Sequence, residues 1–201
     1  MSRLHAPDVS LVDSGSASSD REIEGVGWRI RVGIAAHRLI AGVLEQGIRP
    51  AGPLRTAQLL EGARRACGDL PGGAIGRGLV LEVASSAACY ILLFLPPPPW
   101  SFEGSEFPLG GGKADLVFSN SVSGRWVIDE VKTMLPWAGP EGSHASQIDR
   151  YLRAGAARWG RLFIGVRLCM VNRPTASLIY RAGAAGPSKL DPTWETDSLD
   201  G

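Results

Sequence analysis

The hydrophobic spacing of this chain changes near Tyr90, and a fold must accommodate both halves. Before that point, Val26 to Gln46 places Ile30, Ile34, Leu39, Ile40, Val43 and Leu44 at helical intervals, with Gly47 where a C-terminal cap belongs. Leu54 to Ala66 predicts a second helix. Gly68 to Gly78 is too rich in glycine for regular structure, and Leu79 to Tyr90 is open between helix and strand. From Tyr90 onward the runs are short and β-prone: YILLFL, WSFEGSEFPL, KADLVF and RWVIDEVKT. The link Ser119 to Gly124 is rich in turn formers, so the last two runs form an antiparallel hairpin. A helix over 143–159 and two more strands, LFIGVRLCMV and ASLIYR, complete the order. The expectation is an α/β (α+β) fold, a central mixed sheet of four to five strands flanked by helices, with no internal repeat.

A chain of 201 residues suits one domain of ordinary size. Residues 23–182 are assigned to that domain, and residues 1–22 and 183–201, poor in periodicity, to tails. With 44% hydrophobic and 20% charged residues the chain can bury a core. The net charge of +1 excludes a uniformly basic nucleic-acid binder, so any phosphate-binding surface must be local. Cys67, Cys89 and Cys169 are odd in number and far apart, which suggests no disulfide framework and fits a reducing cytoplasm. The first twenty residues lack an apolar signal core, and the most apolar stretch, Ala84 to Leu95, is too short to span a bilayer and stops at Pro96. No membrane association is expected, and that stretch reads as a buried element.

The chemistry concentrates in the hairpin, which carries Gly112-Lys113-Ala114-Asp115 on one strand and Glu130-Val131-Lys132-Thr133 on the next. Alternate residues of a strand share a face, so Glu130 and Lys132 project together, while Val131 points away with Val127 and Asp129. Antiparallel pairing brings Asp115 within cross-strand or diagonal reach of Glu130. Two carboxylates and a backbone carbonyl suit a hard divalent cation that keeps positions for water and a phosphate oxygen. An ammonium beside them can stabilise charge on a phosphorane-like transition state. The chain has 18 arginines and three lysines (Lys113, Lys132 and Lys189), so a lysine two residues from a glutamate in an apolar strand points to a need for a compact point charge.

GxxD followed by ExK resembles the metal site of the PD-(D/E)xK nuclease superfamily, with Asp115, Glu130 and Lys132 at the matching positions. Gly33-Ile34-Ala35-Ala36-His37 resembles the GxxxH motif of its RecB-like branch, and Gln147-Ile148-Asp149-Arg150-Tyr151 its QxxxY motif. Both spacings put the paired residues one turn apart on a helix. The resemblance spans residues 26–180 and implies a restriction-endonuclease-like core. It also implies a Mg²⁺ or Mn²⁺ site held by His37, Asp115, Glu130 and the Val131 carbonyl, with Asp115, Glu130 and Lys132 catalytic. Gln147 and Tyr151 are implied to contact DNA or to position the lysine and phosphate. The implied activity is metal-dependent hydrolysis of DNA in repair, recombination or defence against foreign DNA. Met134 stands where the family often has glycine, the cysteines of an iron–sulfur cluster are missing, and no helicase motif is present, so unwinding needs another polypeptide.

Plainer readings stand beside these. His37 can be an ordinary helix-flank histidine, Glu130 and Lys132 a same-face ion pair, and Gln147 and Tyr151 a surface pair. Asp129 rivals Glu130 as a ligand, but alternation aims it away from Lys132 unless a bulge intervenes. Between His144 and Arg167 five arginines (Arg150, Arg153, Arg158, Arg161, Arg167) face one acid, Asp149, making this stretch a candidate phosphate surface, with Arg150 and Arg153 assigned to nucleic acid. Trp126, Trp137 and Trp159 are read as core, not as base-stacking residues. The rival function is a nucleic-acid-binding or scaffolding subunit of a larger assembly that keeps the fold without catalysis.

Overall fold

The apolar run that ends at the prolines is helical throughout. In the computed structural model, which describes residues 16–47, 52–68, 73–133 and 142–190, α3 spans Gly73–Cys89 and continues into a π-helical turn at Tyr90–Phe94. The turn is closed by Leu95 N–H donating to the Tyr90 carbonyl at 3.0 Å. YILLFL is therefore not a strand, and the glycines at 73, 76 and 78 do not prevent a helix. A continuous apolar run has no period to separate helix from strand. Here burial decides, because Val83, Ala87, Tyr90 and Phe94 all point into the core at helical spacing. Leu95, which precedes Pro96, is forced to extended geometry (φ −63°, ψ 119°), and there the helix stops. Gly76–Phe94 is long and apolar enough to cross a membrane by length and composition, and α3 packs against both preceding helices.

Those helices are α1 (Ser16–Glu45) and α2 (Gly52–Ala66). Helix α1 includes residues 16–22, read above as tail, and Gly47 follows it with a φ of 62° in the place read as its cap. After the prolines come β1 (Trp100–Leu109), β2 (Gly112–Asn120) and β3 (Trp126–Lys132), an antiparallel meander as expected. Helix α4 (Gly142–Trp159) then crosses over to β4 (Phe163–Met170), which pairs parallel to β3, and β5 (Leu178–Arg181) and β6 (Ser188–Lys189) follow antiparallel. The result is a six-stranded mixed sheet in sequential order, flanked by helices. β6 lies within the segment read as the C-terminal tail, and Leu190 beyond it packs against the core. Residues 1–15, 191–201, Met134 and Trp137 lie outside the described residues.

The two sheet faces build separate cores. One joins Val127, Val131, Leu116 and Phe118 to α1 and α3; the other joins Ala114, Val117, Ile128 and Val166 to Ile148 and Tyr151 of α4. Strand β3 thus lies in the middle of the sandwich, buried from Val127 to Val131.

Candidate active site

The site forms where β2 and β3 part. Their paired positions run from Ser119↔Trp126 to Leu116↔Asp129 and stop. Beyond that pair the Asp115 side chain takes over from the ladder, with Val131 N–H donating to Asp115 Oδ2 at 2.9 Å. The other end of the Val131 peptide is held from α1, where His37 Nε2 lies 2.8 Å from the Val131 carbonyl oxygen. A carbonyl only accepts, so Nε2 carries the proton, and in the neutral ring Nδ1 keeps its lone pair. Nδ1 lies 3.6 Å from Asp115 Oδ2. Thr133 completes the approach of α1: a Cβ at Gly33 would lie 3.2 Å from Thr133 Oγ1, so the glycine four residues before His37 lets the helix come close to β3.

Glu130 and Lys132 share a face as alternation requires, and Lys132 Nζ donates to Glu130 Oε1. Glu130 is 1% exposed, and its second oxygen, Oε2, is buried with no hydrogen-bond partner among the described residues. Such an orphaned carboxylate oxygen is costly. Burial raises the Glu130 pKa, and the neighbouring Asp115 charge raises it further, against the pull of Lys132. Asp115 is pushed up to about 6, chiefly by burial and in opposition to the Val131 N–H and Lys132. Burial lowers the pKa of His37, favouring the neutral ring. Two acids that resist ionisation and an imidazole that resists protonation influence one another electrostatically here.

This donor set suits a hard divalent cation: two carboxylates, a carbonyl whose second lone pair is open, and an imidazole nitrogen. Among the described residues no three His, Cys, Asp or Glu side chains are drawn into ion-holding positions as they stand. Lys132 holds Glu130 Oε1, and the Val131 peptide holds Asp115 and His37.

The cleft beside these residues, about 610 Å³, is lined by His37, Arg38 and Glu45 of α1, by Glu106 and Asp115 of the β1–β2 hairpin and by Val131. Glu106 was not read from the sequence. Ser105↔Leu116 and Phe107↔Ala114 put it level with Asp115, and a φ of 46° turns its backbone out of the strand, where its carboxylate meets Lys113 Nζ at 2.7 Å. Its level depends on the bulge between Phe102 and Gly104, for which the sequence carries no signal.

Of the QxxxY pair, Tyr151 is buried and Gln147 is half-buried. Tyr151 is 1% exposed, accepts a hydrogen bond from Gln147 Nε2 at 3.0 Å and donates to the Lys113 carbonyl. Burial of Tyr151 speaks against a direct DNA contact by its ring, and its hydroxyl ties α4 to β2 two residues before Asp115. Arg150 is exposed, with its guanidinium 5.4 Å from the centre of the Tyr151 ring. Arg153 is exposed and paired with Asp149. Arg158 lies over Phe107 and Trp159. Arg167 leaves the phosphate surface altogether: it is 2% exposed on β4, opposite Asp129, and bonds both carboxylate oxygens of that residue. Asp129 faces away from Lys132, as alternation required. Trp126 and Trp159 stack on each other, ring centres 4.8 Å apart.

Comparisons of the chain with family models, with curated proteins and with solved structures find no match.

Proposed function

We propose that this chain is a metal-dependent nuclease that hydrolyses phosphodiester bonds, most naturally those of DNA, on a restriction-endonuclease-like core. One observation carries the reading. A single peptide, Val131, is gripped at its N–H by Asp115 and at its carbonyl by His37, beside the buried Glu130, whose Oε2 has no hydrogen-bond partner among the described residues. Structural acids do not need such an arrangement, and a strained, desolvated cluster in a cleft is where function is expected.

Asp115, Glu130, the Val131 carbonyl and His37 Nδ1 are the groups that would hold Mg²⁺ or Mn²⁺. When bound, the ion supplies a Lewis acid for a phosphate oxygen and a water of lowered pKa. The residues supply the rest. His37, by donating Nε2–H to Val131, fixes its tautomer and aims Nδ1 toward Asp115. Lys132 anchors Glu130 and brings a positive charge to the oxygens that gain charge as phosphorus is attacked. Tyr151 and Gln147 hold β2 against α4, keeping Asp115 level with Glu130. The strand enters by the cleft between α1 and the β1–β2 hairpin.

The test incubates the purified chain with linear and circular DNA, single- and double-stranded, with Mg²⁺, with Mn²⁺ and with chelator. Cleavage requiring the ion and lost in Lys132→Ala, with the fold retained, is the expected result. Ion-independent cleavage, or full cleavage by Lys132→Ala, defeats the mechanism. DNA binding without cleavage under every condition would favour a scaffolding subunit.

A further inference from the structure

Helix α1 borders two hollows, and two of its residues line both. One hollow is the cleft of the candidate site, and the other, about 720 Å³, is a groove between α1 and α2. Arg38 and Gly42 belong to each. Four residues apart, they stand in one ridge of the helix, and that ridge is a guanidinium followed by bare backbone. We propose that a nucleic-acid strand held at the candidate site crosses α1 over Gly42 and continues in the α1–α2 groove, with its phosphates on Arg38 and Arg65. The path rests on the nuclease reading, which supplies the strand.

The cleft itself is bridged farther along α1. Ser105 Oγ donates to Glu45 Oε1 at 2.9 Å, tying β1 to α1 about one turn beyond Gly42, and the Glu45 carboxylate repels phosphate. A strand that follows α1 from His37 therefore has its opening at Gly42, about 7.5 Å along the helix axis, or about two nucleotides. A glycine inside a helix weakens it, so its place there needs a reason. At Gly33 and Gly62 the reason is packing, since a Cβ would lie 3.2 Å from Thr133 Oγ1 and 2.5 Å from Leu39 Cδ1 respectively. At Gly42 a Cβ would have nothing within 4 Å. No neighbour among the described residues asks for a glycine at that position, and a strand passing over the helix does.

The groove carries a positive balance. Arg38 and Arg65 line it against one acid, Glu61, and Arg64 meets that acid at 3.5 Å. Gln46 and Gln58 add exposed polar groups, while the leucines that line it, Leu39 and Leu59, are buried. The planar fork of arginine takes phosphate oxygens two at a time. Phosphate contacts of this kind position a strand whatever its sequence.

The experiment measures fluorescence anisotropy of labelled oligothymidylates of four and of sixteen nucleotides, titrated with the whole chain in chelator so that nothing is cleaved. The longer oligomer is expected to bind about tenfold or more tightly than the shorter, which the cleft alone holds, since it gains charge-assisted contacts in the groove. Arg65→Ala, at an exposed side chain, should weaken the longer by about tenfold and the shorter by much less. Gly42→Glu, which sets a charge of the wrong sign on the ridge, should erase the preference for length. Gly42→Ala, adding only a methyl group in open space, should melt no lower than the parent and keep that preference. Equal affinity for both lengths in the parent, or a full preference retained in Arg65→Ala or in Gly42→Glu, overturns the path, and so does a loss of equal size at both lengths in Arg65→Ala. Cleavage with Mg²⁺ is read separately. A parent that prefers the longer strand and never cleaves refutes the nuclease reading alone, whereas one that cleaves without that preference refutes the path alone.

Discussion

Asp129 and Glu130 are neighbours on one strand, both buried, and they have opposite surroundings. Asp129 receives Arg167 Nε at 2.6 Å and Tyr90 Oη at 2.6 Å, and Arg167 also donates to the Phe94 carbonyl at 2.9 Å. Every charge in that group is answered, and it fastens the π-helical turn and β4 to β3. Burial alone would lower the Arg167 pKa, but the Asp129 carboxylate raises it. Glu130 has one oxygen on Lys132, the other without a partner among the described residues, and Asp115 as a like-charged neighbour. The first group is built to be stable and the second is held in place at a cost. Such contrast within two consecutive residues is what the proposed nuclease site would require of the face that carries Glu130.

The largest expected effect separates the two groups by activity. Glu130→Gln and Lys132→Ala each reduce metal-dependent cleavage by about a hundred- to a thousandfold, as loss of a transition-state charge contact does, and melting of Glu130→Gln stays close to that of the parent. Asp129→Asn should lower melting first and activity only through it. A variant at Glu130 that cleaves normally would erase the distinction.

Next comes the cost of breaking the satisfied group. Arg167→Met strands Asp129 in the core and should destabilise by about 3–5 kcal/mol, the range for removing one partner of a buried pair, read from denaturant unfolding. The double variant Arg167→Met/Asp129→Leu should recover much of that loss, because a buried pair is replaced well by apolar volume. No recovery would mean that the Tyr90 and Phe94 contacts, not the charges, hold the turn.

The unsatisfied group predicts a pH dependence of the opposite kind. In chelator, Asp115 has a folded pKa of about 6 against an ordinary 3.8. The folded state therefore holds the proton more tightly, and the stability gained is full below about pH 4 and lost as pH rises toward 6 and beyond. The shift corresponds to about 3 kcal/mol at most. Glu130 acts in the same direction. His37, whose pKa is lowered, acts in reverse, favouring the fold above its ordinary 6.5 and costing stability as pH falls. Asp115→Asn should remove the Asp115 share of the decline between pH 4 and 6, leaving that of Glu130, and leave the metal-free protein more stable at pH 7 than the parent. An unchanged pH profile would refute the burial of that charge.

Short β-prone runs between turn formers located β1 to β5, and helical spacing of apolar residues located α1 and α2. It failed on 73–95, where α3 is apolar on most sides and the choice between helix and strand rests on contacts with α1 and α2. The site was legible where it follows from alternation: Glu130 with Lys132, Asp115 level with them, Asp129 facing away. His37 was read from a motif, yet its bond to the Val131 carbonyl depends on how α1 lies against the sheet. Arg167 was misread as surface because a charge count along the chain cannot distinguish a buried partner of Asp129 from an exposed helix residue. Glu106 was invisible because its level is set by a bulge.

The smallest expected effect concerns the residue that joins the two kinds of surroundings. Tyr151 is buried like Asp129, yet its hydroxyl serves the site by holding the Lys113 carbonyl, two residues before Asp115. Tyr151→Phe keeps the ring in its core and deletes that bond, leaving Gln147 and the carbonyl to find other partners, at about 1 kcal/mol. If the hydroxyl only stabilised the fold, cleavage below the melting range would be unchanged. If it sets the level of β2, kcat should fall several-fold with little change in KM, since the substrate still binds but Asp115 is displaced relative to Glu130. Gln147→Ala should show a weaker version of the same split, because Gln147 reaches the strand only through the tyrosine hydroxyl.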